Sequence, residues 1–104
     1  MSGAAASRIR VRAQVLRYDA SAATDDYADG THQRFGATAL EILAPERLRR
    51  RALTIYHDGP VDVDSPWRLV GRVLSFVLDG DLIADGTQVF AGAIRDLGVE
   101  GASP

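Results

Sequence analysis

The sequence predicts a single, mostly β domain, built as a small barrel of about five or six strands. Three observations predict it. Extended segments alternate apolar and polar residues, Asp-Gly turns separate several of them, and prolines interrupt the stretches that would otherwise favour helix. A chain of 104 residues holds one hydrophobic core and is too short for two ordinary domains. With 46% hydrophobic residues, it has apolar mass enough to fold without a disulfide or metal staple. Residues 1–7 read as a flexible tail, residues 8–97 as the β domain, and residues 98–104 as a second tail that frays.

The clearest element is the first. Ile9, Val11, Ala13 and Val15 fall on one face of an extended segment over residues 7–18, with Arg8, Arg10, Arg12 and Gln14 on the other. One side is buried, and an arginine row faces water or a partner. Residues 19–34 are small and polar, with Asp19, Asp25, Asp26 and Asp29-Gly30, and read as a long mobile loop holding at most an irregular turn. Residues 35–44 are extended again. Phe35, Ala37, Ala39, Glu41 and Leu43 share one face; Thr38, Leu40 and Ile42 share the other. A helix over residues 38–51 competes, but Pro45 within it would cost about 3 kcal/mol, whereas at a first helical position it costs little. The expectation is therefore a short helical or 3-10 turn over residues 45–49, then a strand over residues 52–57.

Asp58-Gly59-Pro60 closes that strand. Residues 69–78 are the most β-prone stretch. Val70, Leu74, Phe76 and Leu78 lie on one face, Leu69, Gly71, Val73, Ser75 and Val77 on the other. Apolar character on both faces places this strand centrally or where a barrel closes, and Gly71 marks a bulge or bend. Turns at Asp79-Gly80-Asp81 and Asp85-Gly86-Thr87 flank a short extended piece over residues 82–84, and residues 89–97 form the last strand.

This strand order and spacing over residues 8–97 resembles the oligonucleotide/oligosaccharide-binding (OB) fold. The resemblance implies a closed five-stranded barrel with a binding face. The family usually places a helix between its third and fourth strands; here Pro60 and Pro66 oppose one. A β-sandwich or an SH3-like barrel is the alternative.

Composition narrows the chemistry. The absence of cysteine removes disulfides, thiolate zinc sites and a cysteine nucleophile. Basic and acidic residues number 12 and 14, a net charge of −2, which argues against a dedicated duplex binder. Every basic residue is arginine, the better fork for phosphate, although GC-rich coding gives the same usage. Without an apolar leader or a run of roughly 18 apolar residues, the expected location is cytoplasmic and no membrane partner is expected.

Candidate binding residues are Arg10 and Arg12 on the first strand, Arg49 and Arg51 after Pro45, and Tyr56, His57 and Trp67. Clustered arginines gather phosphate, and aromatic rings beside them stack bases. The plainer account is a solvated arginine face paired with aspartates, and aromatics that serve the core. Asp58, Asp62 and Asp64, and Asp79, Asp81 and Asp85, suit turns better than a calcium loop. No spacing singles out a nucleophile for His57. Glu41 and Arg72 each interrupt an apolar face and are expected to pair.

The sequence thus carries no catalytic, cofactor or metal motif. It reads as a non-catalytic binding or assembly module, with a second copy, an unidentified protein or a small polar ligand as partner. The apolar surplus over residues 69–78 favours the second copy, as a homodimer. The alternatives are weak binding of single-stranded nucleic acid across the arginine face, and a small barrel enzyme using His57 and nearby carboxylates.

Overall fold

Strand β1, Arg8–Asp26, is the longest strand among the described residues and is one of the two middle strands of its sheet. The computed structural model describes residues 8–26, 28–30, 32–58, 61–79, 83 and 86–101. After β1 come β2 (His32–Ala44), β3 (Ala52–Asp58), β4 (Val73–Asp79), β5 (Thr87–Phe90) and β6 (Arg95–Val99). Short 3-10 turns lie at Glu46–Leu48, Pro66–Arg68 and Ala91–Ala93. The six strands form one mixed sheet in the order β5-β3-β2-β1-β4-β6. All ladders are antiparallel except β3–β5, which is parallel.

Period-two patterning supplies the core. Val11, Ala13 and Val15 of β1 stand beside Leu74 and Phe76 of β4 on one side, and Leu40 and Ile42 of β2 on the other. Leu53 and Ile55 of β3 and Val89 of β5 continue the same face. All are buried in one cluster with Leu48, Trp67 and Ile83, which come from outside the strands. We call this the inner face. At about 25 cal/mol per Å² of apolar area removed from water, it is the main source of stability.

The alternation expected for β1 and β2 is observed, and the 3-10 turn after Pro45 and the strand after it stand where the sequence puts them. The closed barrel does not form. Among the described residues, no ladder joins β5 to β4 or β6, so the sheet is open at both edges. Closure would need the outer edges of β5 and β6 to meet, and they lie at opposite ends of the sheet without a ladder between them. The OB resemblance, with its closed barrel, is therefore unsupported, and an SH3-like barrel falls with it. The open sheet, with one apolar face to which β6 adds the partly buried Leu97 and Val99, fits a sandwich arrangement.

Other elements depart locally. The segment expected as a loop, residues 19–34, continues β1 and begins β2, with pairs such as Ala23 opposite Phe35 and Asp26 opposite His32. Low β-propensity there yields to the extension of an existing hairpin ladder. The fourth strand starts at Val73, not residue 69. Gly71 adopts φ +88° in the turn before it and donates its N–H to the Val15 carbonyl at 2.7 Å. Val70 is exposed in consequence. The last strand is split in two by the turn at Ala91–Ala93. Of the short piece over residues 82–84, only Ile83 lies within the described residues.

One irregularity positions side chains. Between Val15 and Arg17, β1 advances two residues while β2 advances one, from Leu40 to Ala39. Leu16 is the extra residue, half-exposed on the bulge. The bulge resets the alternation. Arg17 then faces outward opposite Ala39, and Tyr18 faces inward opposite the buried Thr38.

Candidate functional site

The structure distributes the sequence-predicted residues over separate places. Arg10 and Arg12 project from the outer face of β1 and are tied to β6. Arg12 donates from Nε and Nη2 to the two carboxylate oxygens of Glu100, at 2.6 and 2.9 Å. This hydrogen bonding, helped by opposite charge, holds the Glu100 carboxyl below its usual range and the Arg12 guanidinium above its own. Arg10 donates to the Ser75 hydroxyl at 3.1 Å and lies 3.7 Å from Asp96. Arg49 lies 3.8 Å from Glu46 in its own turn, and Arg51 donates to the Ile83 carbonyl at 3.4 Å. Much of the arginine patch is thus engaged by groups of its own chain. Arg72 does not pair with Glu41; it donates to the Glu100 carbonyl at 3.4 Å.

Tyr56 and His57 are consecutive, so strand geometry sends them to opposite faces. His57 goes inward and is buried. The Tyr18 ring, turned inward by the Leu16 bulge, stacks on it with centroids 5.6 Å apart. The Arg68 guanidinium caps the far side of Tyr18, 5.1 Å from the ring centroid. Thr38 donates its hydroxyl proton to the Trp67 carbonyl at 2.8 Å and faces His57 Nε2 at 3.3 Å. That hydroxyl has one proton, already given away, so it serves His57 only as acceptor, and Nε2 carries the hydrogen in this contact. The Tyr18 hydroxyl accepts from the Val61 N–H at 3.0 Å, and Arg68 donates to the Val61 carbonyl at 3.2 Å. These contacts fasten the loop at Val61 and the turn at Pro66–Arg68 over the end of the core. Trp67 completes the cover, buried with its edge to Phe76. The arrangement orients the imidazole.

Tyr56 faces outward and belongs to a different constellation. Its cross-strand neighbour is Phe90 of β5, with ring centroids 6.2 Å apart, and Phe90 also meets Phe35 of β2 edge-on at 5.7 Å. Phe35 is buried under this contact, whereas Phe90 remains 59% exposed. Two hollows flank Tyr56. One, of about 310 Å³, is lined by Tyr56, His57, Asp58, Phe90, Ala91 and Gly92. The other, of about 240 Å³, is lined by Arg17, Asp19, Ala37, Ala39, Thr54 and Tyr56. The second exists because β2 places the small Ala37 and Ala39 between the larger side chains of β1 and β3.

Charge on this face is uneven. Asp58 accepts from the Gln33 amide at 2.8 Å, and Asp19 also has a partner. Among the described residues, no hydrogen bond or ion pair engages the exposed guanidinium of Arg17. Sequence reading missed Arg17 and Phe90. Phe90 carries no local mark as an exposed ring, and Arg17 faces outward only because of the bulge.

A wider hollow of about 570 Å³ lies by Val61, Asp62, Asp64, Ser65 and Trp67. Among the described residues, no group of three or more His, Asp or Glu side chains is placed to hold a metal ion. Among them, too, no helix is long and apolar enough to cross a membrane. Set against protein-family models, curated proteins and solved structures, the chain matches none.

Proposed function

We propose that the protein is a non-catalytic binding module whose working surface is the outer face of β2, β3 and β5. The observation that carries this reading is the exposed Phe90 ring, braced by Tyr56 and Phe35 and opening onto a hollow. A braced ring with a free face is a preorganised stacking platform, because it loses little freedom when a flat ligand covers it. The expected ligand is accordingly flat, or a chain bearing flat groups.

The test is chemical-shift mapping of the full chain against a panel of probes: oligothymidylate, mononucleotides, a linear oligosaccharide and an extended peptide. Shifts confined to Thr54, Tyr56, Gln88, Phe90 and their neighbours support the reading. Shifts centred on the Arg10–Glu100 flank, or none from any probe, would overturn it. A second reading, weak binding of single-stranded nucleic acid, draws on one specific observation: the platform shares its sheet face with the unengaged Arg17. A second copy of the chain on this platform is distinguished by light scattering. A dimer that Phe90→Ala dissolves would assign the face to self-association instead.

A further inference from the structure

We infer that β6 is a strap held to the sheet largely by charge, which opens and closes on the folded protein while the other five strands stay paired. It lies at the opposite edge of the sheet from β5 and is independent of the binding reading above. The ladder that joins it to β4 is thin. Among the described residues it has three pairs, Leu74 with Val99, Ser75 with Gly98 and Val77 with Arg95, against seven between β4 and β1. Between its last two pairs β6 advances three residues while β4 advances two, and Asp96 sits in that bulge at φ +53°, outside strand geometry. Burial is thin as well. β4 buries Leu74, Phe76 and Leu78, whereas β6 only half-buries Leu97 and Val99 against the core.

Charge supplies what the ladder lacks. Arg10 and Arg12 stand on β1, one strand beyond β4, and reach across it to the strap. Arg12 takes the Glu100 carboxylate with two hydrogen bonds, and Arg10 lies 3.7 Å from Asp96. Arg72, just before β4, donates to the Glu100 carbonyl, and the Glu100 N–H bonds to the Val73 carbonyl at 2.8 Å. Glu100 is therefore the clasp, gripped from β1, from β4 and from the residue between the turn and β4. Exposed ion pairs of this kind are weak singly and are screened by salt. On a strand with so short a ladder and so little burial, they form a large share of the hold. The fold thus contains a sheet border whose cover depends on ionic strength.

Hydrogen exchange of the full chain, read amide by amide by NMR, tests this, and β4 carries its own control. The Val73 carbonyl faces β6 and the Arg72 carbonyl faces β1, where it accepts from the Val15 N–H. Alternation then turns the N–H groups of Ser75 and Val77 toward β6, and those of Leu74 and Phe76 toward β1. Ser75 and Val77 are expected to exchange at least about tenfold faster than Leu74 and Phe76. Their rates should depend little on dilute urea, because releasing a strap exposes little surface. Raising salt from about 0.05 to about 0.5 M, which cuts the screening length to a few ångströms, should speed Ser75 and Val77 about 2- to 5-fold. Glu100→Gln at low salt should do the same, and salt should then add less. Ser75 and Val77 exchanging at the rates of Leu74 and Phe76, with equal urea dependence, would mean that β6 opens only with the whole sheet and would overturn the inference. Rates that neither salt nor Glu100→Gln changes would overturn it too, since charge would then not hold the strap.

Discussion

Replacing Thr38 with valine tests whether a single hydroxyl fastens the cover over the core. Thr38 is fully buried, and its hydroxyl donates to the Trp67 carbonyl at 2.8 Å. Valine keeps the shape and removes the donor. The carbonyl then loses that hydrogen bond, and His57 Nε2 loses its nearby acceptor. An unmade bond to a buried backbone acceptor costs about 1–3 kcal/mol, against a total of about 5–15 kcal/mol for an ordinary domain. For a chain of this length, each kcal/mol lowers the melting temperature by about 5 °C, so a loss of roughly 5–15 °C is expected. Urea unfolding followed by Trp67 fluorescence supplies the free energy, and calorimetry the melting temperature. The denaturant midpoint should fall with its slope unchanged, because the folded state keeps its extent. Thr38→Ser, which keeps the donor and gives up one methyl, should cost less. If Thr38→Val unfolds within about 0.5 kcal/mol of the parent, or Thr38→Ser costs more, the argument from the hydroxyl fails.

Four further outcomes follow from the geometry. Phe76→Ala removes a fully buried ring that Trp67 packs against, and should cost about 3–5 kcal/mol by denaturant unfolding. Phe90→Ala, by contrast, removes a mostly exposed ring and should stay within about 1 kcal/mol of the parent in the same assay. Deleting Leu16 removes the extra residue while Val15, Arg17 and Tyr18 keep their partners Leu40, Ala39 and Thr38, so Tyr18 should stay inward and its stacking on His57 should survive, seen as retained near-ultraviolet dichroism and retained His57 ring resonances; their loss would refute the bulge assignment. The Glu100 carboxyl is held below its ordinary range in the folded state by Arg12, so its contribution is present above the unfolded value of about 4.3 and disappears as pH falls through the depressed folded value. Urea midpoints of the parent and Glu100→Gln should therefore differ near neutral pH and converge in acid; a gap that stays constant would refute the linkage.

Much of the fold is legible where the pattern is local. Ile9, Val11, Ala13 and Val15 alternate with arginines, and strand geometry turns that alternation into a buried face without tertiary information. Pro45 and Asp58 likewise mark real boundaries. What fails is long-range. Whether the sheet closes depends on whether its edge strands β5 and β6 meet, and nothing within the residues of either strand decides that. Residues 19–34 look like loop by composition, yet β1 and β2 are already paired beside them, and extending a ladder costs less than starting one. The segment read as one last strand is instead broken by a turn at Ala91–Ala93.

The candidate site is less legible still. Arg10 and Arg12 stand out because they recur at period two, but their ion partners, Asp96 of β6 and Glu100 just past it, lie more than 80 residues away. Tyr56 was chosen for its ring alone. The companions that give it a setting come from three other strands: Arg17 by a one-residue bulge, Ala37 and Ala39 by register, Phe90 by a parallel ladder.

The capture of the outer edge of β4 by β6 also has a consequence for how the protein is made. During synthesis β1, β2 and β3 emerge in order and can zip as neighbours, but β4 must return past them to the free side of β1. Its own far side then stays unprotected until β6 leaves the ribosome. Nascent chains stalled or clipped before residue 95 would carry a bare, valine-rich border with hydrogen-bonding groups unmet, a template for sticking to one another. Emergence of residues 95–99 is thus the step that covers this border of β4.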